Sequence, residues 1–261
     1  MFDYHMHSHV SFDGHDSPED MVRAAVDAGL QEICFTDHVD DFPEGIRPEY
    51  RFTPEAYAAA YDHLSHPQLK IRRGMEFGMF ADNTQSLKDC LKQREYDFIL
   101  GSVHFAAGLD VYYAPYWEQF TLEQGERRYL EDVLACVKAH HDFDVLGHLT
   151  YIGKARAHPT HEAVPLHRHR ELVEEIMKEL IRKGKGMEIN SSGVDRCGDF
   201  LPDRAYLQLF KDLGGQIVTM GSDAHNAARV GQYADQALEI LKDVFGYVCT
   251  FEGRKPIFHK L

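Results

Sequence analysis

The sequence predicts an α/β fold whose parallel strands close into a barrel, and three observations point there. Short apolar, β-rich runs alternate about seven times with amphipathic stretches, the pattern of strand–helix units. The chain has 261 residues, room for one sizeable core, so a single domain over 1–261 is the economical expectation. Histidines and acids recur directly after the apolar runs, where barrel strands deliver side chains to one mouth.

The first strand runs into Tyr4 to Asp16, which holds four histidines and two aspartates. His5 and His7 are two apart, so on an extended backbone both face the same side and can grip one metal ion. The following loop supplies His9, Asp13, His15 and Asp16, and Gly14 lets it turn back toward the strand end. Ser17 and Pro18 then open a helix, with Glu19 and Asp20 complementing its dipole, that stops at Gly29. Glu32 to Thr36 reads as a strand delivering Asp37 and His38. Residues 40–53 read as a polar loop with Arg47 and Arg51 as solvated charges, and Pro54 opens the next helix.

Lys70 to Phe77 is a strand with Glu76 at its end, and Thr84 to Arg94 is a helix with Leu87 and Leu91 on one face. Phe98 to Val103 has the composition of a buried parallel strand and delivers His104. A helix over about 122–140 leads to Val145-Leu146-Gly147 and His148. Helices over 166–183 and about 202–213 flank the strand Gly186 to Asn190, and Gln216 to Met220 ends in Gly-Ser-Asp-Ala-His with Asp223 and His225. A helix over about 233–244 and a tail from Tyr247 to Leu261 finish the chain.

Composition narrows the function. The net charge of −14 disfavours a nucleic-acid backbone as partner. No apolar run is long enough to span a membrane and no signal segment opens the chain, so a cytoplasmic location is the default expectation. Cys34, Cys90, Cys136, Cys197 and Cys249 are scattered without a CxxC pair, which argues against a disulfide framework and a thiolate zinc site.

A lone histidine at a strand end is ordinarily a packed or solvated residue. Here the strand ends bring His5, His7, His38, Glu76, His104, His148, Asp223 and His225, and Asp13 joins from the first loop. These donors exceed what one tetrahedral ion needs, so two or three divalent cations sharing bridging ligands are expected, with zinc, iron and manganese all suited to imidazole and carboxylate. Arg156, after His148, and Arg196, after Asn190, are placed to orient a phosphate, with Lys154 a weaker candidate. The remaining histidines, His63, His66, His140, His141, His158, His161, His167, His169 and His259, read as solvated.

The order of motifs, HxH, the Asp-Gly turn, Thr-Asp-His, the strand-end Glu, Gly-Ser-Val-His, Gly-His and Gly-Ser-Asp-Ala-His, resembles the polymerase and histidinol phosphatase (PHP) family over nearly the whole chain. The resemblance implies a distorted seven-stranded TIM-like (β/α) barrel with a trinuclear centre. By position it implies one ion on His5, His7, Glu76 and Asp223, a second on Glu76, His104 and His148, and a third on Asp13, His38 and His225. His15 is the alternative loop ligand. The Tyr4 to His15 stretch, Gly-Ser-Val-His-Phe and Glu-Ile-Asn-Ser-Ser-Gly look most like the stand-alone histidinol phosphatases, which implies phosphate monoester hydrolysis by metal-activated water. Glu76 and Asp223 would then serve catalysis through the metals, and His9 would serve as proton donor or in a structural role. The expected partner is a small phosphorylated metabolite. Competing readings are a phosphotyrosine phosphatase or 3′ nuclease of the same fold, and a metal-binding module without activity.

Overall fold

The computed structural model describes residues 1–261. Its first half comprises β1 (Phe2–Met6), α1 (Pro18–Asp27), β2 (Glu32–Phe35), β3 (His38–Phe42), β4 (Gly45–Arg51), α2 (Pro54–Tyr61), β5 (Lys70–Gly78), α3 (Thr84–Gln93) and β6 (Phe98–Ser102). There follow β7 (Phe105–Ala106), β8 (Leu109–Asp110), α4 (Ala114–Trp117), α5 (Leu122–Ala139), β9 (Val145–Leu146) and α6 (Arg170–Arg182). The chain ends with β10 (Gly186–Asn190), α7 (Val194–Cys197), α8 (Arg204–Asp212), β11 (Val218–Gly221), α9 (Ala234–Val244), β12 (Tyr247–Glu252) and β13 (Lys255–Lys260).

Seven strands pair in parallel in the order β1-β2-β5-β6-β9-β10-β11. The barrel is nearly closed: β1 and β11 meet at one bridge, Met6 to Ala224, with His7 N donating to Ala224 O at 2.8 Å and Asp223 N to His5 O at 2.8 Å. Buried Asp3 clasps this seam, accepting from Ser222 N at 2.9 Å, from Ser222 Oγ at 2.5 Å and from Gly231 N at 2.9 Å. No helix is long and apolar enough to cross a membrane. Ser17 caps α1 through Asp20 N at 3.1 Å, as its sequence position predicts.

Three segments differ from the sequence expectation. Residues 40–53 are not a loop: β3 and β4 form a hairpin, and β3 pairs parallel with β5, setting His38 beside Glu76. Its charged composition hides the strand, because Asp40 and Asp41 are buried against partners rather than solvated. Arg51 is likewise not a free loop charge, since it donates to Asp41 at 3.0 Å. Leu166–Arg168 forms a 3₁₀ turn before α6 begins. The tail is the antiparallel hairpin β12–β13, which packs Phe251 against Tyr4 and Phe98.

Three histidines read as solvated are buried: His140, His158 and His169. His140 Nε2 lies 2.7 Å from Phe80 O. His169 Nε2 lies 2.9 Å from the Glu126 carboxylate on α5, with His158 at 3.8 Å and Arg168 at 2.5 Å, so Glu126 anchors the segment carrying Lys154 and Arg156. Burial opposes ionisation of Glu126, but the hydrogen bonds from His169 and Arg168, with His158 close by, win and hold its pKa down to about 2.

Two stability predictions follow from these contacts. Asp3→Ala strands the buried donors of Ser222 and the half-buried N–H of Gly231, so thermal unfolding should shift down by several degrees, about 2–3 kcal/mol; an unchanged Tm would show that the seam needs no clasp. Glu126 has a depressed pKa in the fold, so its contribution is present above about pH 4.5 and fades as pH falls toward 2, with roughly 3 kcal/mol as upper bound. Glu126→Gln should therefore lower Tm at pH 7, with the gap to wild type closing on acidification; parallel curves down to pH 2 would contradict this.

Candidate metal centre

Period-two geometry puts His5 and His7 at the carboxyl end of β1, and each is oriented from behind. His5 Nδ1 lies 2.8 Å from Glu188 Oε1 on β10, an acceptor that would keep the proton on Nδ1 and leave the Nε2 lone pair facing inward when a cation takes the place of the second proton. Gly221 makes this pair possible: a Cβ there would stand 2.1 Å from Glu188 Oε1 and 2.4 Å from His5 Cβ. His7 Nδ1 lies 3.1 Å from Ser11 Oγ, which donates to Asp37 at 3.1 Å and receives His38 N at 2.9 Å, leaving His7 Nε2 free as well.

The two Nε2 atoms converge on carboxylate oxygens. His5 Nε2 is 3.2 Å from Glu76 Oε2 and 3.5 Å from Asp223 Oδ1, and His7 Nε2 is 3.4 Å from each. The other Glu76 oxygen, Oε1, lies 2.9 Å from His148 Nε2 and 3.3 Å from His104 Nε2. Glu76 thus turns one oxygen toward each of two donor groups. A third group forms around Asp13 Oδ2, 3.2 Å from His225 Nε2 and 3.6 Å from His38 Nε2. The loop reaches this position because Gly14 packs on the Ser8 carbonyl, where a Cβ would stand 1.8 Å away.

Asp223 divides its oxygens similarly. Oδ1 faces His5 and His7, while Oδ2 is held by Lys154 Nζ and by Ser192 Oγ at 3.1 Å. Its backbone has φ of +55°, a left-handed conformation uncommon for a side-chain-bearing residue, imposed here at the barrel seam.

The electrostatics suit cations. Glu76 is fully buried, yet His5, His38 and His104 hold its carboxyl far below the usual range against the burial cost. Burial likewise opposes ionisation of Asp223, and Lys154 and His5 override it. Burial, with His225 and His38 nearby, pushes His7 down to about 3, so its imidazole is neutral and can donate a lone pair. Glu76 Oε2 and Asp13 Oδ1 are buried without any hydrogen-bond donor, an arrangement that divalent cations satisfy. Four sets of side chains bring three donors within 4.8 Å of one another: His7, His38 and His225; His5, Glu76 and His148; His5, His7 and Asp223; His38, Asp40 and His104.

These groups floor a cavity of about 890 Å³ walled by Phe12, Tyr50, Phe105, Tyr112, Tyr113 and Tyr151 and edged by Arg47, Lys154, Arg196 and Arg229. Arg47, expected to be solvated, is at this edge over the Phe42 ring. All nine expected ligands meet here. Of the two loop alternatives, Asp13 converges on the cluster and His15 stays at the exposed rim. His9 is exposed and off the cavity wall. Arg196 lines the cavity; Arg156 is exposed outside it, close enough for its charge to reach the Tyr113 phenol.

Sequence reasoning gave no role to Glu188 or Asp40, and it named Asp37 at its strand end without the clamp it forms with Ser8 and Ser11. Glu188 carried a usable signal, an acid inside the apolar strand Gly-Met-Glu-Ile-Asn with all five residues buried. Asp40 faces His38 Nδ1 at 3.5 Å and His104 Nδ1 at 3.4 Å, contacts made by a hairpin the sequence did not disclose.

Comparison with known proteins gives the same picture. The family model for the PHP domain matches residues 3–192. The histidinol-phosphatase of Lactococcus lactis is 31% identical over 261 residues, covering 97% of this chain and 95% of that one. A probable histidinol-phosphatase of Clostridium acetobutylicum is 28% identical over 265 residues, 99% of this chain and 96% of the other. The crystal structure of the Lactococcus lactis histidinol phosphate phosphatase with zinc, L-histidinol and phosphate superposes with a TM-score of 0.85 at 28% identity, covering 98% of each chain. With its barrel, its strand-end donors and these matches, the chain belongs to the PHP domain family.

Proposed function

We propose that this protein is a histidinol-phosphatase, hydrolysing L-histidinol phosphate to L-histidinol and phosphate, and that the whole chain acts as one PHP-type unit. The observation that carries the reading is Glu76, buried and turned toward two sets of imidazoles at the floor of a cavity large enough for a small phosphate ester. Likeness to a relative solved with zinc, L-histidinol and phosphate supports the choice of substrate.

His5, His7, Glu76 and Asp223 would hold one divalent cation, Glu76, His104 and His148 a second, and Asp13, His38 and His225 a third. Zinc, iron and manganese all suit this donor set. Bound there, such cations lower the pKa of water toward neutrality and neutralise phosphate charge. The protein's own part is to fix the donors. Glu188 and Ser11 hold His5 and His7 in the tautomer that presents Nε2, and Lys154 and Ser192 fix the rotation of Asp223. Arg196 on the wall orients the phosphate, whereas Arg156, exposed outside the cavity, contributes only its positive charge to the approach of an anionic substrate. The aromatic wall shields the organic half from water. His9, exposed outside the cavity, takes a supporting role in the loop in this reading, its backbone N donating to Asp16 O at 2.8 Å. Five buried free thiols fit a reducing compartment, and we place the enzyme in the cytoplasm.

A panel of L-histidinol phosphate, a phosphotyrosine peptide and single-stranded DNA should show kcat/KM highest for histidinol phosphate; loss of that preference would overturn the substrate assignment. Glu76→Gln should lower kcat at least about 100-fold, because it removes the charge that would serve both donor groups its oxygens face. Glu188→Gln should weaken metal affinity or activity about 10- to 100-fold while leaving the fold intact; wild-type metal affinity and kcat in that variant would remove the orienting role.

A further inference from the structure

The cavity holds more charge than metal binding and phosphate orientation use. Most carboxylates, lysines and arginines on its wall are already paired: Glu44 with Arg47, Asp223 with Lys154, Arg229 with Asp195, and Asp13, Asp40 and Glu76 with histidines. Two side chains on this wall, Asp110 and Arg196, have no ion-pair partner. An unpaired acid and an unpaired base on one wall match a ligand that carries both charges.

We propose that Asp110 is the specificity residue for the organic half of the substrate, receiving its ammonium group while the phosphate lies toward the metal floor and Arg196. This rests on the histidinol-phosphatase reading. L-histidinol phosphate carries an amine beside the carbon bearing the ester; the amine is a cation at neutral pH, whereas its imidazole, near the ordinary histidine pKa, is largely neutral. The acid therefore reads the amine.

Asp110 is held for the purpose. It ends the short hairpin β7–β8 directly after His104, opposite Phe105, with Ala107 and Gly108 both at positive φ (+52° and +75°) making the tight turn. Val111 N donates to His104 O at 3.1 Å, tying this segment to a candidate ligand. One Asp110 oxygen, Oδ1, accepts from Tyr112 N at 2.9 Å, which fixes the carboxylate's rotation and leaves its other oxygen free to receive a ligand. Burial raises the cost of its charge, only partly offset by Tyr112 N and by His104, and an incoming ammonium removes that cost. Phe105 opposite and Tyr112 and Tyr113 beyond supply flat apolar surface for an imidazole ring.

The test compares L-histidinol phosphate with its analogue lacking the amine, using wild type, Asp110→Asn and Asp110→Glu. Asparagine retains an acceptor for Tyr112 N, so fold and metal content should match wild type, checked by thermal melting and elemental analysis. Asp110→Asn should lower kcat/KM for L-histidinol phosphate about 10- to 100-fold, mainly through KM, while the amine-free analogue changes less than about threefold. Asp110→Glu should recover part of the loss. Equal losses on both substrates, or no loss on either, would overturn the assignment while leaving the histidinol-phosphatase reading standing. No turnover of L-histidinol phosphate by wild type would instead sink that reading and this inference with it.

Discussion

A single buried carboxylate sets the terms for this structure. Glu76 has imidazole nitrogens of His5, His7, His38, His104 and His148 between 2.9 and 3.4 Å from its oxygens, and no solvent reaches it. Placing an ionised carboxylate in such surroundings is costly unless positive charge is drawn in around it. The barrel supplies what that requires, because parallel strands spread along the sequence end at one rim. β3 contributes by pairing with β5 so that His38 lies opposite Glu76 itself.

The surrounding polar groups then become intelligible as support. Glu188 holds His5 and also accepts from His148 N at 2.8 Å, so one acid steadies two candidate ligands. Asp37 accepts from Ser8 N at 2.9 Å and from Ser11 Oγ, and it binds the Tyr61 hydroxyl, which ties the loop after β1 to α2. Burial pushes Asp37 up to about 6 despite those hydrogen bonds, so this loop clamp sits near the edge of ionisation. At the seam, Asp3 performs the corresponding task for β11, whose end carries Asp223. Rigid donors, rather than individually strong ones, are what a shared metal cluster needs.

Much of this was legible in the sequence because the ligands sit where periodicity and strand ends announce them. His5 and His7 are separated by one strand repeat, and His104, His148 and Asp223 each follow an apolar run. Glu188, Asp40 and Asp3 were not legible in the same way. Their roles depend on which strand lies beside which, and a closed sheet sets Asp3 against Ser222 across almost the whole chain. His158 and His169 were misread because their polarity suggests solvent, whereas Glu126, an acid on the buried face of α5, draws them inward. The β3–β4 hairpin was hidden for the same reason: its buried acids look like loop residues until Arg51, Asn83, His38 and His104 are seen to meet them.

The central claim is that the scattered donors act as one polynuclear centre whose cations are required for turnover. Metal content of the purified wild-type protein, followed by elemental analysis through chelation and stepwise return of zinc, manganese or iron(II), tests it directly. Two or three equivalents should bind, with phosphatase activity lost on chelation and restored as the sites refill. Full activity in protein stripped of metal, or saturation at a single equivalent, would contradict the account.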